Sequence, residues 1–65
     1  MPVVQIFMWE GHNAEKKEEI IQKVTDVMCQ TIGCKQESVT VLLLDMPKTN
    51  WGAGGKQATK LVPHK

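Results

Sequence analysis

The chain contains no arginine and no tyrosine, and all eight of its basic residues are lysines. These lysines are dispersed and almost balanced by seven acidic residues, which leaves a net charge of +1. Proteins that bind nucleic acid or a membrane surface usually concentrate basic charge on one face, so we expect neither partner. The lack of arginine also removes the side chain that is best suited to two-pronged recognition of a carboxylate.

Cysteine is scarce, and long apolar runs are absent. Cys29 and Cys34 are too few for a disulfide framework, and they have neither CxxC spacing nor the accompanying histidines of a metal site. No stretch approaches the roughly 20 apolar residues that span a membrane, and the apolar start lacks the flanks of a secretion signal. We therefore expect a reduced cytoplasmic protein with no metal, and its 65 residues predict a single domain over 1–65.

The apolar pattern predicts a strand, a helix and a second strand. Residues 2–9 are mostly apolar and β-branched or aromatic, which is typical of a strand buried on both faces. Residues 14–32 place their apolar side chains on one helical face, between Asn13 as N-cap and Gly33 as C-terminal signal. Residues 39–45 form a second apolar run. Two such strands around one helix predict a parallel, right-handed β-α-β unit.

The remainder of the chain is rich in turn residues. Residues 46–56 predict a loop or short hairpin around Trp51. The glycine-rich segment 52–55 matches neither common phosphate-binding motif, which favours a structural hairpin. Because one helix covers only one face of a two-stranded sheet, we expect a second copy of the chain to cover the other face. We expect residues 57–65 to be a tail that packs on a neighbouring chain.

Pro2 is the first candidate for chemistry. Removal of Met1 would leave a secondary amine fixed at the start of a strand. An α-amino group has a reference pKa of about 7.7–8.0, and partial burial disfavours its charged form. A base with a pKa near neutrality can both take and return a proton. The alternative is that Met-Pro is an ordinary, idle chain start.

Several short motifs occur together along nearly the whole chain. They are Pro2, Gln5-Ile6, Glu10-Gly11, Leu44-Asp45-Met46 and Trp51-Gly52-Ala53-Gly54-Gly55. With these motifs the sequence resembles the 4-oxalocrotonate tautomerase family. The resemblance implies an α/β fold, with a β-α-β subunit of parallel strands and a C-terminal hairpin, whose sheet is completed by oligomerisation. It implies dimers that join their sheets and a homohexamer built from three dimers.

The resemblance also implies an activity. Met1 would be removed, and Pro2 would act as the general base that moves a proton between the enol and keto forms of a small 2-hydroxy or 2-keto acid. No cofactor is implied, and the setting would be the degradation of aromatic compounds. Proline-dependent hydration, dehalogenation or decarboxylation, as in relatives, remains an alternative reaction.

The sequence departs from the family where the substrate is bound. His12 and Thr40 stand where well-known members have two arginines, and a homo-oligomer cannot supply an arginine from a neighbour. His12 can donate a hydrogen bond and is partly charged near neutral pH, while Thr40 offers a hydroxyl. Trp51 matches the family's apolar wall, and main-chain N–H groups near Met8 and Trp9 would lie close. We expect these five residues to bind the substrate.

Weaker candidates and one different function remain open. Lys48 or Lys56 could replace the missing cations in part, although solvated loop lysines are more common. Glu10 or Asp45 could act as a second acid or base. The different function is a non-catalytic or partner-dependent subunit, which would need a related chain that carries the arginines.

Overall fold

The structure is a computed structural model that describes residues 1–60. Strand β1 spans Val3–Trp9, helix α1 spans Ala14–Ile32 and strand β2 spans Thr40–Met46. A hairpin follows, formed by β3, Gly52–Ala53, and β4, Lys56–Gln57. Short 3₁₀ turns occupy Gln36–Ser38, Lys48–Asn50 and Ala58–Lys60. The predicted helix is confirmed, and both predicted strands are confirmed to within one residue at each end.

Helix α1 begins and ends at the residues that the sequence indicates. The side-chain Oδ1 of Asn13 accepts a hydrogen bond from the main-chain N–H of Lys16 at 2.8 Å, which satisfies one free donor of the first turn. Gly33 adopts a left-handed conformation with φ 74°, and its N–H donates to the carbonyl of Cys29 at 2.9 Å. Residues with a Cβ rarely adopt that conformation, so glycine ends the helix there.

Strands β1 and β2 are parallel neighbours, in register from Val3 beside Thr40 to Trp9 beside Met46. Helix α1 covers one face of this pair. Val4 lines a groove with Val24 and Met28 of the helix, which places the even-numbered side chains of β1 on the helix side.

The other face of the sheet is open in the single chain. Val3 is 58% exposed, Phe7 55% and Leu42 43%, so nothing in the described part of one chain covers this face, and the predicted burial of the strands on both faces would require a second copy. Within residues 1–60, Ala58 is the only hydrophobic residue that is buried. The reason is that one amphipathic helix can cover only one side of a sheet.

The C-terminal segment forms the predicted structural hairpin. Strands β3 and β4 pair antiparallel, and Gly54 and Gly55 form the turn between them with φ values of 63° and 80°. The main-chain N–H of Ala58 donates to the carbonyl of Trp51 at 2.6 Å, and Ala58 is only 3% exposed. Ala58 therefore packs on its own chain, whereas Gln57, Thr59 and Lys60 are exposed, and the packing of the tail on a neighbouring chain stays a prediction.

The rest of that predicted tail, 61–65 with its apolar Leu61 and Val62, lies outside the described residues. In residues 1–60 the structure contains no helix that is both long and apolar enough to cross a membrane.

Candidate active site

Pro2 and Thr40 lie together where the two parallel strands begin. The carbonyl of Pro2 accepts a hydrogen bond from the main-chain N–H of Thr40 at 3.0 Å. Pro2 is half-buried, whereas Met1 is 91% exposed. With Met1 attached, the Pro2 nitrogen is a tertiary amide and has no basic lone pair. Met1 must therefore be removed before this nitrogen can take a proton.

A second group of side chains lies at the opposite end of the sheet. The rings of Trp9 and Trp51 meet edge to face, with centroids 5.8 Å apart and planes at 75°. The Nζ of Lys48 lies 4.7 Å from the ring centroid of Trp9, within the range of a cation–π interaction. We call Trp9, Trp51 and Lys48 the tryptophan–lysine cluster. It combines an apolar wall with one positive charge.

The tryptophan–lysine cluster has an unused hydrogen-bond donor. The indole Nε1 of Trp9 is buried and has no hydrogen-bond partner among residues 1–60. A buried indole N–H normally finds an acceptor. Trp9 Nε1 is therefore an unsatisfied donor that the surrounding residues cover in the described chain.

The main-chain donors of Met8 and Trp9 point in different directions. The Thr40 N–H donates to the Pro2 carbonyl, and the Glu10 N–H donates to the Met46 carbonyl at 3.1 Å. The even-numbered residues along β1 therefore form the main-chain bonds to β2. Because peptide directions alternate along a strand, the Met8 N–H is directed to β2 and the Trp9 N–H to the free edge of β1. Only the Trp9 N–H is placed to meet a ligand at that edge.

The remaining candidates are scattered. His12 lies exposed in the loop between β1 and α1, and Glu10 is also exposed. Asp45 forms an ion pair with Lys17 of α1, and both side chains are about one-third exposed. This contact joins the helix to the end of β2 and leaves Asp45 less free to act as an acid or base. Within residues 1–60, no three histidine, cysteine or acidic side chains are grouped to hold a metal ion.

The predicted site residues thus form two groups in one chain. Pro2 and Thr40 lie at one end of the sheet, and Trp9 and Trp51 lie at the other. Seven residue steps along an extended strand separate Pro2 from Trp9 by about 23 Å. A small substrate cannot touch both groups of the same chain.

Sequence reasoning missed the contacts within the tryptophan–lysine cluster. It treated Trp9 and Trp51 separately and considered Lys48 mainly a solvated lysine. The available signal was that parallel strands end at the same edge, which brings Trp9 close to the loop that follows β2. The precise ring contact depends on the 3₁₀ turn at Lys48–Asn50, which has no strong sequence signature.

These features define a class of protein: a small α/β subunit with a proline opening a parallel β-α-β unit and an aromatic wall at the far end of its sheet. The family model described as "Tautomerase enzyme" matches residues 2–60. The chain belongs to the tautomerase family and is a tautomerase-like isomerase.

Similar proteins include enzymes of known name. A 2-hydroxymuconate tautomerase from Comamonas testosteroni is 41% identical over 61 residues, which covers 94% of this chain and 97% of that protein. A structure from work on the 4-oxalocrotonate tautomerase isozymes of Methylibium petroleiphilum matches with a TM-score of 0.87 and 43% identity, over 92% of this chain and 97% of that one. This similarity of fold extends along nearly the entire described chain.

A more distant structure shares the fold alone. It comes from work on a heterohexamer 4-oxalocrotonate tautomerase of Chloroflexus aurantiacus. The match has a TM-score of 0.88 at 24% identity and covers 95% of this chain and all of that one.

Proposed function

We propose that this isomerase interconverts the enol and keto forms of a small 2-hydroxy or 2-keto acid, with the Pro2 amine as general base. The observation that carries the proposal is the position of Pro2, half-buried and held in the sheet through its carbonyl by Thr40 at 3.0 Å. Loss of the exposed Met1 would leave an amine whose direction is set by a strand. A positioned base contributes about 10²–10⁴-fold to such a proton transfer.

The reaction needs donors for the oxygen on which charge develops. When the Pro2 amine removes a proton from the substrate, negative charge moves onto the carbonyl oxygen, and fixed donors there contribute strongly. The Trp9 main-chain N–H, directed to the free edge of β1, is the donor that we assign to this oxygen. Lys48 adds a positive charge 4.7 Å from that ring. In the enol-to-keto direction the proton removed is that of the enol hydroxyl, and the Pro2 ammonium then donates a proton to a substrate carbon, which leaves the ketone.

The proposed site requires two chains. Pro2 of one copy must meet the tryptophan–lysine cluster of another, because about 23 Å separates the two groups within one chain. The open sheet face with Val3, Phe7 and Leu42 supports association between copies. We propose that two copies join their sheets to form a dimer and that three dimers form a homohexamer. Residues 1–65 of each copy act as one domain in this proposal.

The substrate is proposed to differ from that of arginine-bearing relatives. Without arginine, the chain offers Lys48 as a single point charge, with His12 as an exposed hydrogen-bond donor and Thr40 contributing a hydroxyl. One cation suits one carboxylate, so we expect a monocarboxylate to be preferred over a dicarboxylate. The names of the relatives support a role in aromatic-compound degradation, and we propose the cytoplasm as the compartment.

The test begins with the intact mass of the purified protein, followed by enol-to-keto assays with 2-hydroxymuconate and phenylenolpyruvate. We expect a mass without Met1, turnover of phenylenolpyruvate, and a loss of about 100-fold or more in kcat in Pro2→Ala. Gln30→Ala is the control, since it truncates an exposed side chain of α1 outside the proposed site and should leave kcat nearly unchanged. Full activity in Pro2→Ala would contradict the proposal.

One further outcome would favour the second candidate function, which the absence of arginine motivates. Retention of Met1, or a processed chain with no turnover, would indicate a partner-dependent subunit. Activity should then appear when the chain is mixed with a related chain that carries the two arginines.

A further inference from the structure

Cys29 and Cys34 lie in contact at the C-terminal end of α1. Cys29 belongs to the last two turns of the helix, and Cys34 directly follows Gly33. Their Sγ atoms are 3.8 Å apart, and both side chains are half-buried with free thiols. We propose that this pair is a dithiol site that glutathione disulfide oxidises to an intrachain disulfide. The site shares no residue with the proposed tautomerase site and does not depend on it.

The contact between the sulfurs follows from how the helix ends. The left-handed Gly33, whose N–H donates to the Cys29 carbonyl at 2.9 Å, turns the chain back over the last helical turn. Helix ends of this kind commonly place an apolar contact between the residue just beyond the turn and one in that last turn. Here both positions are cysteines, so the contact that normally only packs the helix end holds two nucleophiles together.

The surroundings of Cys29 favour an order of reaction. Burial raises the pKa of the Cys29 thiol, and the hydrogen-bond contact between the two thiols and the charges of Asp26 and Glu37 act in the same direction. Since the thiolate is the nucleophile, Cys29 is poorly prepared for the first attack. Cys34 therefore attacks glutathione disulfide, and Cys29 completes the exchange at short range.

The reaction balances with glutathione disulfide as the oxidant. The Cys34 thiolate attacks one glutathione sulfur, forms a mixed disulfide and releases one glutathione thiolate. The Cys29 sulfur then attacks the Cys34 sulfur and releases the second glutathione. Two protein S–H bonds and one glutathione S–S bond are lost. One protein S–S bond forms, and the two released protons end on two reduced glutathione molecules.

The experiment equilibrates the full chain with defined ratios of reduced and oxidised glutathione, alkylates the remaining thiols and digests with trypsin. Both cysteines fall in one tryptic peptide, 24–35, because cleavage follows Lys23 and Lys35. We expect this peptide to be lighter by two hydrogen atoms and to carry no alkyl group. Treatment with dithiothreitol should restore the two hydrogen atoms. The equilibrium constant for closure should be on the order of tenfold larger for the folded chain than for the chain in urea, because the fold raises the effective concentration of one thiol at the other.

Two variants keep the test decisive. Cys34→Ser should give only a glutathione adduct on Cys29, and it should form slowly. Cys29→Ser should give a stable adduct on Cys34 that forms quickly. Separate glutathione adducts on both cysteines of the original chain, or a closure constant no larger in the folded chain than in urea, would overturn the proposal and leave the pair as packing residues only.

Discussion

Lys48 is the residue whose position changes the interpretation of this chain most. In a protein without arginine, its Nζ lies 4.7 Å from the Trp9 ring, in the tryptophan–lysine cluster. The Lys48 side chain is exposed, and a cation–π contact at an exposed site contributes about 0.5–1 kcal/mol.

We predict that Lys48→Gln weakens substrate binding more than it slows turnover. The proposed role is to pair with the substrate carboxylate, so KM for phenylenolpyruvate should rise about tenfold, equivalent to about 1.4 kcal/mol, with a small change in kcat. Lys56→Gln is the matched control because Lys56 is an exposed lysine of the hairpin. Equal effects of the two substitutions in steady-state kinetics would contradict a specific role for Lys48.

The thiol of Cys29 gives a second prediction at this scale. Because burial raises its pKa, the thiolate fraction at neutral pH is smaller in the folded chain than in the unfolded one. Alkylation of Cys29 by iodoacetamide should therefore be slower in the native protein than in urea, and the difference should shrink as the pH rises through the raised pKa. Measuring the rate in Cys34→Ser isolates Cys29, and equal rates in the native and unfolded states would exclude the effect.

The relative positions of residues were predictable where regular strand geometry sets them. The closeness of Pro2 and Thr40 follows from two parallel strands that begin together, and the distance from Pro2 to Trp9 follows from the strand length. The contact of Trp51 with Trp9 was not predictable, because it depends on the path of an irregular loop. The contact between the cysteines was also missed, since it requires the left-handed turn at Gly33 in three dimensions.

At the scale of elements, the helix is the part that the sequence specifies most directly. Asn13 and Gly33 act on main-chain groups within one turn of themselves, so their effects can be recognised without tertiary structure. The burial of a strand is different. Whether Val3 or Phe7 is covered depends on what lies above the sheet, and an apolar run in the sequence does not specify what covers it.

The N-cap can be tested directly. Asn13→Ala removes the acceptor of the 2.8 Å bond from Lys16 and should lower the free energy of unfolding by about 1 kcal/mol in urea titrations. Asn13→Asp keeps a side-chain oxygen in the same place and adds a charge that the helix N-terminus favours, so it should be nearly neutral. If Asn13→Ala were as stable as Asn13→Asp, the side chain of Asn13 would not contribute to the free energy of unfolding.

The ion pair between Glu19 and Lys23 gives a pH-dependent prediction for the helix. Their side chains approach to 2.7 Å, and the hydrogen bond from Lys23 lowers the pKa of Glu19 from its ordinary 4.5. A carboxylate with a lowered folded-state pKa stabilises the fold above its unfolded-state pKa and loses that effect as the pH falls through the folded-state value.

Lys23→Gln should therefore lower the urea midpoint slightly at neutral pH and leave it unchanged once Glu19 is protonated. Both side chains are exposed, so the effect is expected to be small and to weaken with salt. Lys35→Gln, a substitution of an exposed lysine outside α1, serves as the control. A difference between the Lys23 variant and the original chain that persists in acid would contradict this origin.

At the scale of the whole molecule, the described part of a single chain buries little of its hydrophobic surface. Within residues 1–60, Ala58 is its only buried hydrophobic residue, although 42% of the sequence is hydrophobic. A domain this small has little core with which to offset the conformational entropy of folding. Association across the open sheet face would bury Val3, Phe7 and Leu42, and it would also join the two halves of the proposed site. Stability and activity are therefore expected to depend on the same contact.

Phe7→Asp tests that dependence, because it places a charge in the middle of the open face, where Phe7 is 55% exposed in one chain. Fully burying a phenylalanine contributes about 1.5–3 kcal/mol, and burying an unpaired carboxylate is costly. In analytical ultracentrifugation we expect the original chain to sediment at a multiple of 7.3 kDa and the variant to shift toward 7.3 kDa, with loss of turnover.

Gln30→Asp, on the exposed side of α1, should change neither property. Circular dichroism of Phe7→Ala, which removes the ring without adding charge, distinguishes dissociation from unfolding. An oligomer that survives Phe7→Asp would show that this face is not where the copies meet, and the pairing of Pro2 with a neighbour's tryptophan–lysine cluster would have to occur through another surface.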